Sequence, residues 1–195
     1  MRVAVFSSRA YERPFLDSAA AAAGLVLSHH EASLDERTAA LAHGCEGAAI
    51  FVNDHANPAA LAGLHAQGVR VVALRCAGFN NVAIAEAARL GMRVFRVPAY
   101  SPHAVAEHTV GLMLTLNRKF HRAYARVREQ NFSLGGLMGF DMHGKTVGVV
   151  GTGRIGQCVC SILAGFGCRL LVHDPRPSAE CLQLGAVPVA LPELL

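Results

Sequence analysis

The chain has 195 residues, of which 52% are hydrophobic and 16% charged, and its formal net charge at pH 7 is +4. This composition excludes an intrinsically disordered chain, which combines low hydrophobicity with high net charge, and so mild a positive charge indicates no nucleic-acid partner. No apolar stretch reaches the roughly 20 residues of a membrane span and the N-terminal run is too short for a signal peptide, so we expect a cytoplasmic protein that binds no membrane.

The first 100 residues alternate between apolar runs and helical patterns. Short apolar runs predict strands at 2–6, 25–28, 48–52, 70–74 and 92–97. Helical patterns lie between them at 11–24, 34–43, a segment ending near 68, and 82–91. Strands that alternate with helices of about ten residues indicate parallel pairing, so we predict a doubly wound α/β sheet.

A second segment begins after the stretch "PAYSP" at 98–102. Ser101 suits a helix N-cap and Pro102 the first helical turn, so we predict one long helix over 102–128. Spacings of three and four predict its buried stripe at Val105, Thr109, Leu112, Met113, Leu116 and Phe120. A glycine-bearing loop is expected over 131–144.

The stretch "VGVVGTGRIGQ" at 147–157 runs from a strand into a glycine-rich turn with the spacing Gly151-x-Gly153-x-x-Gly156. A helix follows, and then a strand that ends in Asp174, 21 residues after Gly153. This order is typical of a dinucleotide site, in which backbone N–H groups approach a pyrophosphate at the start of a helix. An ordinary tight turn between strand and helix is the alternative.

The acidic residue at the end of that second strand bears on the choice of cofactor. Asp174 would accept hydrogen bonds from the adenosine ribose hydroxyls and would repel the 2′-phosphate of NADP. We therefore expect NAD, although Arg176 lies two residues further on and could weaken this preference.

The loop "RCAGFNN" at 75–81 follows the fourth predicted strand. Ligands of open α/β sheets bind beyond the carboxyl ends of the strands. Backbone N–H groups could hold a small carboxylate here, and the residues that would supply them are Cys76, Ala77 and Gly78. A helix-capping turn built on Asn80 and Asn81 explains the same residues.

Other side chains give weaker signals. Phe51 and Tyr100 follow strands three and five and could wall the same crevice, but core aromatic residues would look identical. His103 and Glu107 have the spacing of an acid–base dyad, although such pairs are usually surface contacts. Arginines within 117–129 predict a solvated helix face rather than a nucleic-acid interface.

The six cysteines lie at 45, 76, 158, 160, 168 and 181. No pair has the spacing of a zinc ribbon, and Cys158 and Cys160 would project about 200° apart on a helix. We therefore predict free thiols in a reducing compartment and no metal site.

Five long stretches carry a resemblance to a known family. They are "IFVNDHANP", "LRCAGFNNV", "RVPAYSPHAVAEHTVGLMLTLNRKFHRAY", "NFSLGGLMGFDMHGKTVGVVGTGRIG" and "DPRPSA", spread along the whole chain. On these residues the chain resembles the NAD-dependent D-2-hydroxyacid dehydrogenases, and most closely the members that act on D-lactate. The resemblance implies a flavodoxin-like substrate-binding domain at 1–100 and a Rossmann NAD-binding domain at 101–195, the latter incomplete.

The resemblance also implies an activity and a set of site residues. The activity is the reduction of pyruvate to D-lactate by hydride transfer from NADH, in an enzyme that is a homo-oligomer at full length. Phe51 and Tyr100 would shape the substrate pocket, and the backbone of 76–78 would hold the carboxylate. The NAD contacts would be Gly151, Gly153, Arg154, Ile155, Gly156 and Asp174.

The expected catalytic groups depart from the family pattern. The family's arginine, glutamate and histidine lie downstream of the nucleotide fingerprint, whereas after Asp174 this sequence holds only Arg176, Glu180 and Glu193. We therefore expect an N-terminal fragment with no catalytic residue of its own, inactive alone. One alternative is a non-catalytic NAD(H)-sensing module, like the corepressors of the same superfamily. Another is a different 2-hydroxy acid, such as glycerate, or formate.

Overall fold

The computed structural model describes residues 1–195 and divides the chain into two units, Met1–Tyr100 and Ser101–Leu195. The first unit holds five parallel strands in the order β2-β1-β3-β4-β5, which is the flavodoxin-like order. The strands are β1 (Arg2–Val5), β2 (Val26–His29), β3 (Gly47–Ile50), β4 (Val71–Leu74) and β5 (Arg93–Arg96). The helices are α1 (Arg13–Ala22), α2 (Pro58–Ala66) and α3 (Ile84–Arg89). The predicted α/β class is confirmed.

Burial in the first unit follows the apolar runs of the sequence. The largest side chains that are fully enclosed in its core are Phe6, Leu34, Ile50, Leu61 and Leu64. Because all five strands are parallel, their carboxyl ends lie at one edge of the sheet, and the residues that follow each strand are gathered there. That edge is where the predicted substrate residues lie.

The helix predicted over 34–43 is wrong, because only one 3₁₀ turn, Ala39–Ala42, forms there. The carboxylate of Asp35 accepts hydrogen bonds from the backbone N–H groups of Arg37 and Thr38, each at 2.8 Å. The hydroxyl of Thr38 in turn accepts a hydrogen bond from the N–H of Asp35 at 2.8 Å. These local side-chain bonds compete with the helical pattern and turn the backbone away from it.

The second unit holds three parallel strands in the order β6-β7-β8. They are β6 (Thr146–Val150), β7 (Arg169–His173) and β8 (Val187–Pro188). The helices are α4 (Pro102–Arg118), α5 (Phe120–Arg128), α6 (Arg154–Gly165), α7 (Ala179–Gln183) and α8 (Leu191–Leu194). Neither unit contains a helix that combines the length and the apolar character needed to cross a membrane.

The long helix predicted over 102–128 is wrong in its extent. It begins as expected, with the Ser101 hydroxyl accepting a hydrogen bond from the N–H of Ala104 at 3.2 Å. Lys119, however, takes the left-handed conformation with a φ of 55° and divides the segment into α4 and α5. This conformation is unfavourable for a residue with a side chain, and residues 112–128 contain no glycine or proline, so the position of the break was not evident from the sequence.

The buried stripe predicted for this helix is correct at Met113 but otherwise wrong, being one residue out of phase. Ala106 and Val110 face the core, with Met113 partly packed against it. Three residues that were expected to be buried are exposed, namely Leu112 at 51%, Leu116 at 67% and Phe120 at 56%. A shift of one residue rotates a helix face by about 100°, so apolar residues on both faces made the two phases hard to distinguish.

Candidate functional site

The turn between β6 and α6, residues 151–156, needs glycine at three positions for three different reasons. Gly151 has a φ of +90°, which side chains disfavour. At Gly156 a Cβ atom would overlap the carbonyl oxygen of Gly151, so the helix could not approach the strand. At Gly153 a Cβ would meet no protein atom within 4 Å, which leaves the backbone open to a ligand. These are the three roles of glycine in a dinucleotide turn.

The same turn presents unpaired backbone donors. Gly153 is the N-cap of α6 and makes no side-chain cap, and the first bond to its carbonyl comes from the N–H of Gln157 at 2.9 Å. The N–H groups of Arg154, Ile155 and Gly156 therefore have no protein acceptor. Because α6 has 12 residues, its dipole adds partial positive charge at this end, and the turn suits an anionic group.

Asp174 follows β7 and lies directly beside this turn. Its Oδ2 accepts a hydrogen bond from the N–H of Thr152 at 2.7 Å, and its Oδ1 accepts one from the N–H of Arg176 at 2.8 Å. The Thr152 and Arg176 backbone bonds, in that order, hold the pKa of the Asp174 carboxyl below its ordinary value. The side chain is thus an oriented carboxylate at neutral pH, able to accept hydrogen bonds from hydroxyl groups.

Thr152 connects these parts, and sequence reasoning missed it. It is only 3% exposed, and its Oγ1 accepts a hydrogen bond from the N–H of Ser178 at 3.0 Å. Its carbonyl oxygen accepts a bond from Nε2 of Gln157 at 3.2 Å. Residue 152 is an unspecified position in the spacing Gly151-x-Gly153, so no sequence signal pointed to it. One residue therefore joins the turn to Asp174, α6 and the N-cap of α7.

In the first unit, the loop after β4 contains three successive carbonyl groups, those of residues 76–78, that all accept hydrogen bonds. The Cys76 carbonyl accepts a hydrogen bond from the N–H of Val97 at 3.3 Å. The Ala77 carbonyl accepts one from Nη1 of Arg96 at 2.9 Å. The Gly78 carbonyl accepts one from Sγ of Cys76 at 3.3 Å. The negative ends of these three peptide groups are thus turned toward protein donors.

The N–H groups of residues 76–78 have no protein acceptor, and we call these three residues the carboxylate cradle. In a trans peptide the N–H points opposite to the preceding carbonyl, so the donors of Ala77 and Gly78 face away from the partners just described. Gly78 leaves open space where a Cβ would stand. Burial raises the pKa of the Cys76 thiol, so this side chain adds no negative charge. The loop can therefore receive a small anion.

The alternative of a capping turn at Asn80 and Asn81 is wrong, because α3 has Ala83 as its N-cap and no side-chain cap. Nδ2 of Asn81 instead donates to the carbonyl oxygens of Phe51 and Asp54, at 3.0 and 2.9 Å. Oδ2 of the fully buried Asp54 accepts a hydrogen bond from the N–H of Phe51 at 2.5 Å. The backbone of Phe51 is therefore fixed on both sides.

The remaining predicted residues differ in how firmly they are held. Phe51 is half-buried, and the guanidinium of Arg75 lies over its ring with Cζ 5.2 Å from the centroid. Tyr100 follows β5 and is 61% exposed, with no hydrogen bond to its hydroxyl. His103 and Glu107 form no ion pair or hydrogen bond, so the possible dyad does not form.

The six cysteines are free, and no cluster of His, Cys, Asp or Glu suits a metal ion.

Comparison with known proteins gives a consistent result. Residues 3–182 match the family described as D-isomer specific 2-hydroxyacid dehydrogenase, catalytic domain. The chain is 52% identical over 194 residues to a D-lactate dehydrogenase of Escherichia coli, covering 100% of this chain and 59% of that protein.

Solved structures agree. The apo structure of D-lactate dehydrogenase from Escherichia coli has 52% identity and a TM-score of 0.94, and the match covers 100% of this chain and 61% of that one. A D-lactate dehydrogenase from Lactobacillus jensenii, solved with NAD+, has 26% identity and a TM-score of 0.75, with coverage of 100% and 59%. The chain thus spans about 59% of the length of the curated relatives that it matches most extensively.

Proposed function

Because this chain belongs to the D-isomer specific 2-hydroxyacid dehydrogenases, a family of NAD-dependent oxidoreductases, we propose that it forms the ligand-binding part of a D-lactate dehydrogenase. Its second unit would bind NAD(H), and its first unit would bind the carboxylate of pyruvate or D-lactate. The observation that carries the proposal is the oriented Asp174 carboxylate beside a helix start at which the N–H groups of residues 154–156 lack acceptors.

The residues of the second unit fit an adenine dinucleotide. The backbone N–H groups of Arg154 and Ile155 would hold the pyrophosphate, since both lack a protein acceptor and no protein atom lies within 4 Å of where a Cβ would stand at Gly153. Asp174 would accept hydrogen bonds from the adenosine ribose hydroxyls and would disfavour the 2′-phosphate of NADP. When bound, NAD supplies the hydride chemistry. The protein's part in this unit is to bind and orient it.

The first unit supports a small 2-oxo or 2-hydroxy acid. The carboxylate cradle would accept the carboxylate through N–H groups, and the half-buried ring of Phe51 would limit the space for the substituent on the neighbouring carbon. Tyr100 would complete the wall of the pocket. The identity with D-lactate dehydrogenases supports a substituent as small as the methyl group of pyruvate.

Turnover requires catalytic side chains that residues 1–195 do not supply after Asp174, where the family has them. Reduction of a 2-oxo acid needs a cation on the carbonyl and carboxylate and a proton donor that titrates near neutrality. The sequence after Asp174 contains no histidine. General acid catalysis alone contributes roughly 10²–10⁴-fold, so we propose that residues 1–195 bind both ligands and reduce pyruvate at a negligible rate.

Self-association is part of the same proposal. Large apolar side chains are 55% or more exposed along α5 and the loop that follows it, namely Phe120, Tyr124, Val127, Phe132, Leu134, Met138 and Phe140. Exposed apolar surface of this extent is typical of an interface. Sedimentation velocity of the protein should give the mass of a dimer or a larger species, and a purely monomeric boundary would contradict this part.

Calorimetric titration of residues 1–195 with NADH and NADPH tests the nucleotide site. We expect saturable binding of NADH and weaker binding of NADPH, because the Asp174 carboxylate repels the additional phosphate. The absence of NADH binding to the folded protein would overturn the proposal. Reduction of pyruvate at a rate typical of the family would contradict the claim that the catalytic groups lie elsewhere.

A further inference from the structure

Arg75 stands between the last residue of β4 and the carboxylate cradle. Its side chain is only 13% exposed, although it carries a full positive charge. Nη1 donates to Oε2 of Glu12 at 2.6 Å, and Nη2 donates to the carbonyl oxygen of Phe6 at 2.6 Å. One guanidinium therefore ties the end of β4 to the residue after β1 and to the residue before α1.

The same guanidinium also reaches the residue after β3. Its Cζ lies 5.2 Å from the centroid of the Phe51 ring, within the range of a cation–π contact. The backbone N–H of Arg75 donates to the carbonyl of Ile50 at 2.8 Å, which fixes the main chain at the same place. Arg75 thus contacts the ends of all three central strands at the edge where the cradle begins.

The guanidinium of Arg75 is already bonded within the protein, so direct contact with the substrate carboxylate is not its main role. Glu12 neutralises its charge, and Oε1 of Glu12 is itself held by the N–H of Arg9 at 2.9 Å. The remaining donor, Nε, is buried and has no hydrogen-bond partner in the protein. A buried unpaired donor lowers stability, and such departures are concentrated at places shaped for function rather than for stability.

We propose that Arg75 is a positioning residue, which holds residues 76–78 and the Phe51 ring in the arrangement that receives a carboxylate. This inference rests on the proposed function of the cradle. A planar guanidinium can donate in two directions while its face lies on an aromatic ring, whereas the ammonium of lysine is a point charge. Lysine at this position would keep the charge and lose the geometry.

Three variants separate geometry from charge and from stability. Arg75→Lys keeps the charge, and the double variant Arg75→Met with Glu12→Gln removes both charges, so that no carboxylate is left buried alone. Arg89→Met is the matched control. It removes an arginine of α3 that is paired with Glu86 at 2.7 Å. The chain runs from the end of α3 into the amino end of β5, so this arginine lies at the edge of the sheet opposite to the cradle.

The measurement is a pyruvate titration of the ¹⁵N-labelled protein at constant ionic strength, read at the amides of residues 76–78. We expect the wild type and Arg89→Met to show the same saturable shifts. Arg75→Lys and the double variant should bind pyruvate roughly ten- to a hundredfold more weakly, the effect of losing about one hydrogen bond to a charged group. The amides of the first unit away from residues 76–78 should keep their wild-type positions in both variants, which a loss of structure in that unit would not allow.

The outcomes distinguish the inference from the proposed function. If the wild type shows no shifts at these amides, the proposed carboxylate site fails and the inference fails with it. If the wild type binds pyruvate and Arg75→Lys binds it equally well, the positioning role alone is overturned. Should the double variant not fold, Arg75→Lys still decides between the two results.

Discussion

Thr152→Val is the substitution that tests the nucleotide turn most sharply, because the two side chains have nearly the same shape. The Thr152 side chain is almost fully buried, and its hydroxyl oxygen is the acceptor for the N–H of Ser178 at 3.0 Å. The hydroxyl also helps to lower the pKa of Asp174, after the two backbone hydrogen bonds. Valine removes both interactions and leaves the packing volume unchanged.

The cost can be worked out from these contacts. A buried N–H group left without an acceptor destabilises a protein by about 1–3 kcal/mol. For a unit of this size each kcal/mol lowers the melting temperature by about 4–8 °C. The N–H of Ser178 is only partly buried, so the lower end of this range applies and we expect Thr152→Val to lower the Tm of the second unit by about 4–8 °C. NADH binding should weaken as well, because Asp174 loses part of its orientation.

Differential scanning calorimetry measures the first effect and calorimetric titration with NADH the second. Thr152→Ser is the matched control, since it keeps the hydroxyl and removes only a methyl group, and it should lie close to the wild type in NADH affinity. If Thr152→Val melts with the wild type and binds NADH equally well, then Thr152 does not connect the turn to Asp174 and α7.

Three further predictions follow from single residues. In calorimetric titrations, Asp174→Asn should bind NADH roughly ten- to a hundredfold more weakly and show a smaller preference for NADH over NADPH. Unchanged affinities would refute the ribose contact. Lys119→Gly should raise the free energy of urea unfolding by up to about 1 kcal/mol, because it relieves a left-handed φ, whereas Lys119→Ala should not. Burial raises the pKa of Cys160 to about 12, so at pH 8 a thiol reagent should modify the half-buried Cys158 and leave Cys160 intact in the native protein.

The pKa of Asp174 also predicts a pH dependence with a definite sign. A carboxyl group whose pKa is lowered in the folded state stabilises that state above its unfolded pKa, and this stabilisation is lost as the pH falls through the folded value. The stability difference between the wild type and Asp174→Asn should therefore persist at pH 5 and disappear only below about 3.9. A difference that vanished nearer neutrality would show that the carboxyl is not held as described.

The sequence patterns correctly predicted the parts of the fold that depend on residues close together in the chain. The strands were evident as short apolar runs, and the turn at 151–156 was evident because its glycine spacing is set by backbone conformation. The helix over 34–43 was wrong because side-chain bonds of Asp35 outcompete helix formation over a few residues. The phase of α4 was wrong because apolar residues occur on two of its faces.

The supporting residues could not be predicted for a different reason. Thr152 binds the N–H of Ser178, 26 positions away, and Arg75 binds Glu12 and Phe6, 63 and 69 positions away. No short window of sequence contains both partners of such a contact. The cradle itself was suggested by its glycine and its place after a strand. The donor to its Ala77 carbonyl, however, is Arg96, which belongs to a later strand.

The central claim is that residues 151–156 and Asp174 form a site for NAD(H). The most direct measurement is the ¹⁵N–¹H spectrum of the labelled protein during titration with NADH. The account predicts saturable shifts centred on the amides of Gly153, Arg154 and Ile155, with smaller shifts near Asp174. A spectrum of the folded protein that does not change, or that changes only elsewhere in the chain, would contradict it.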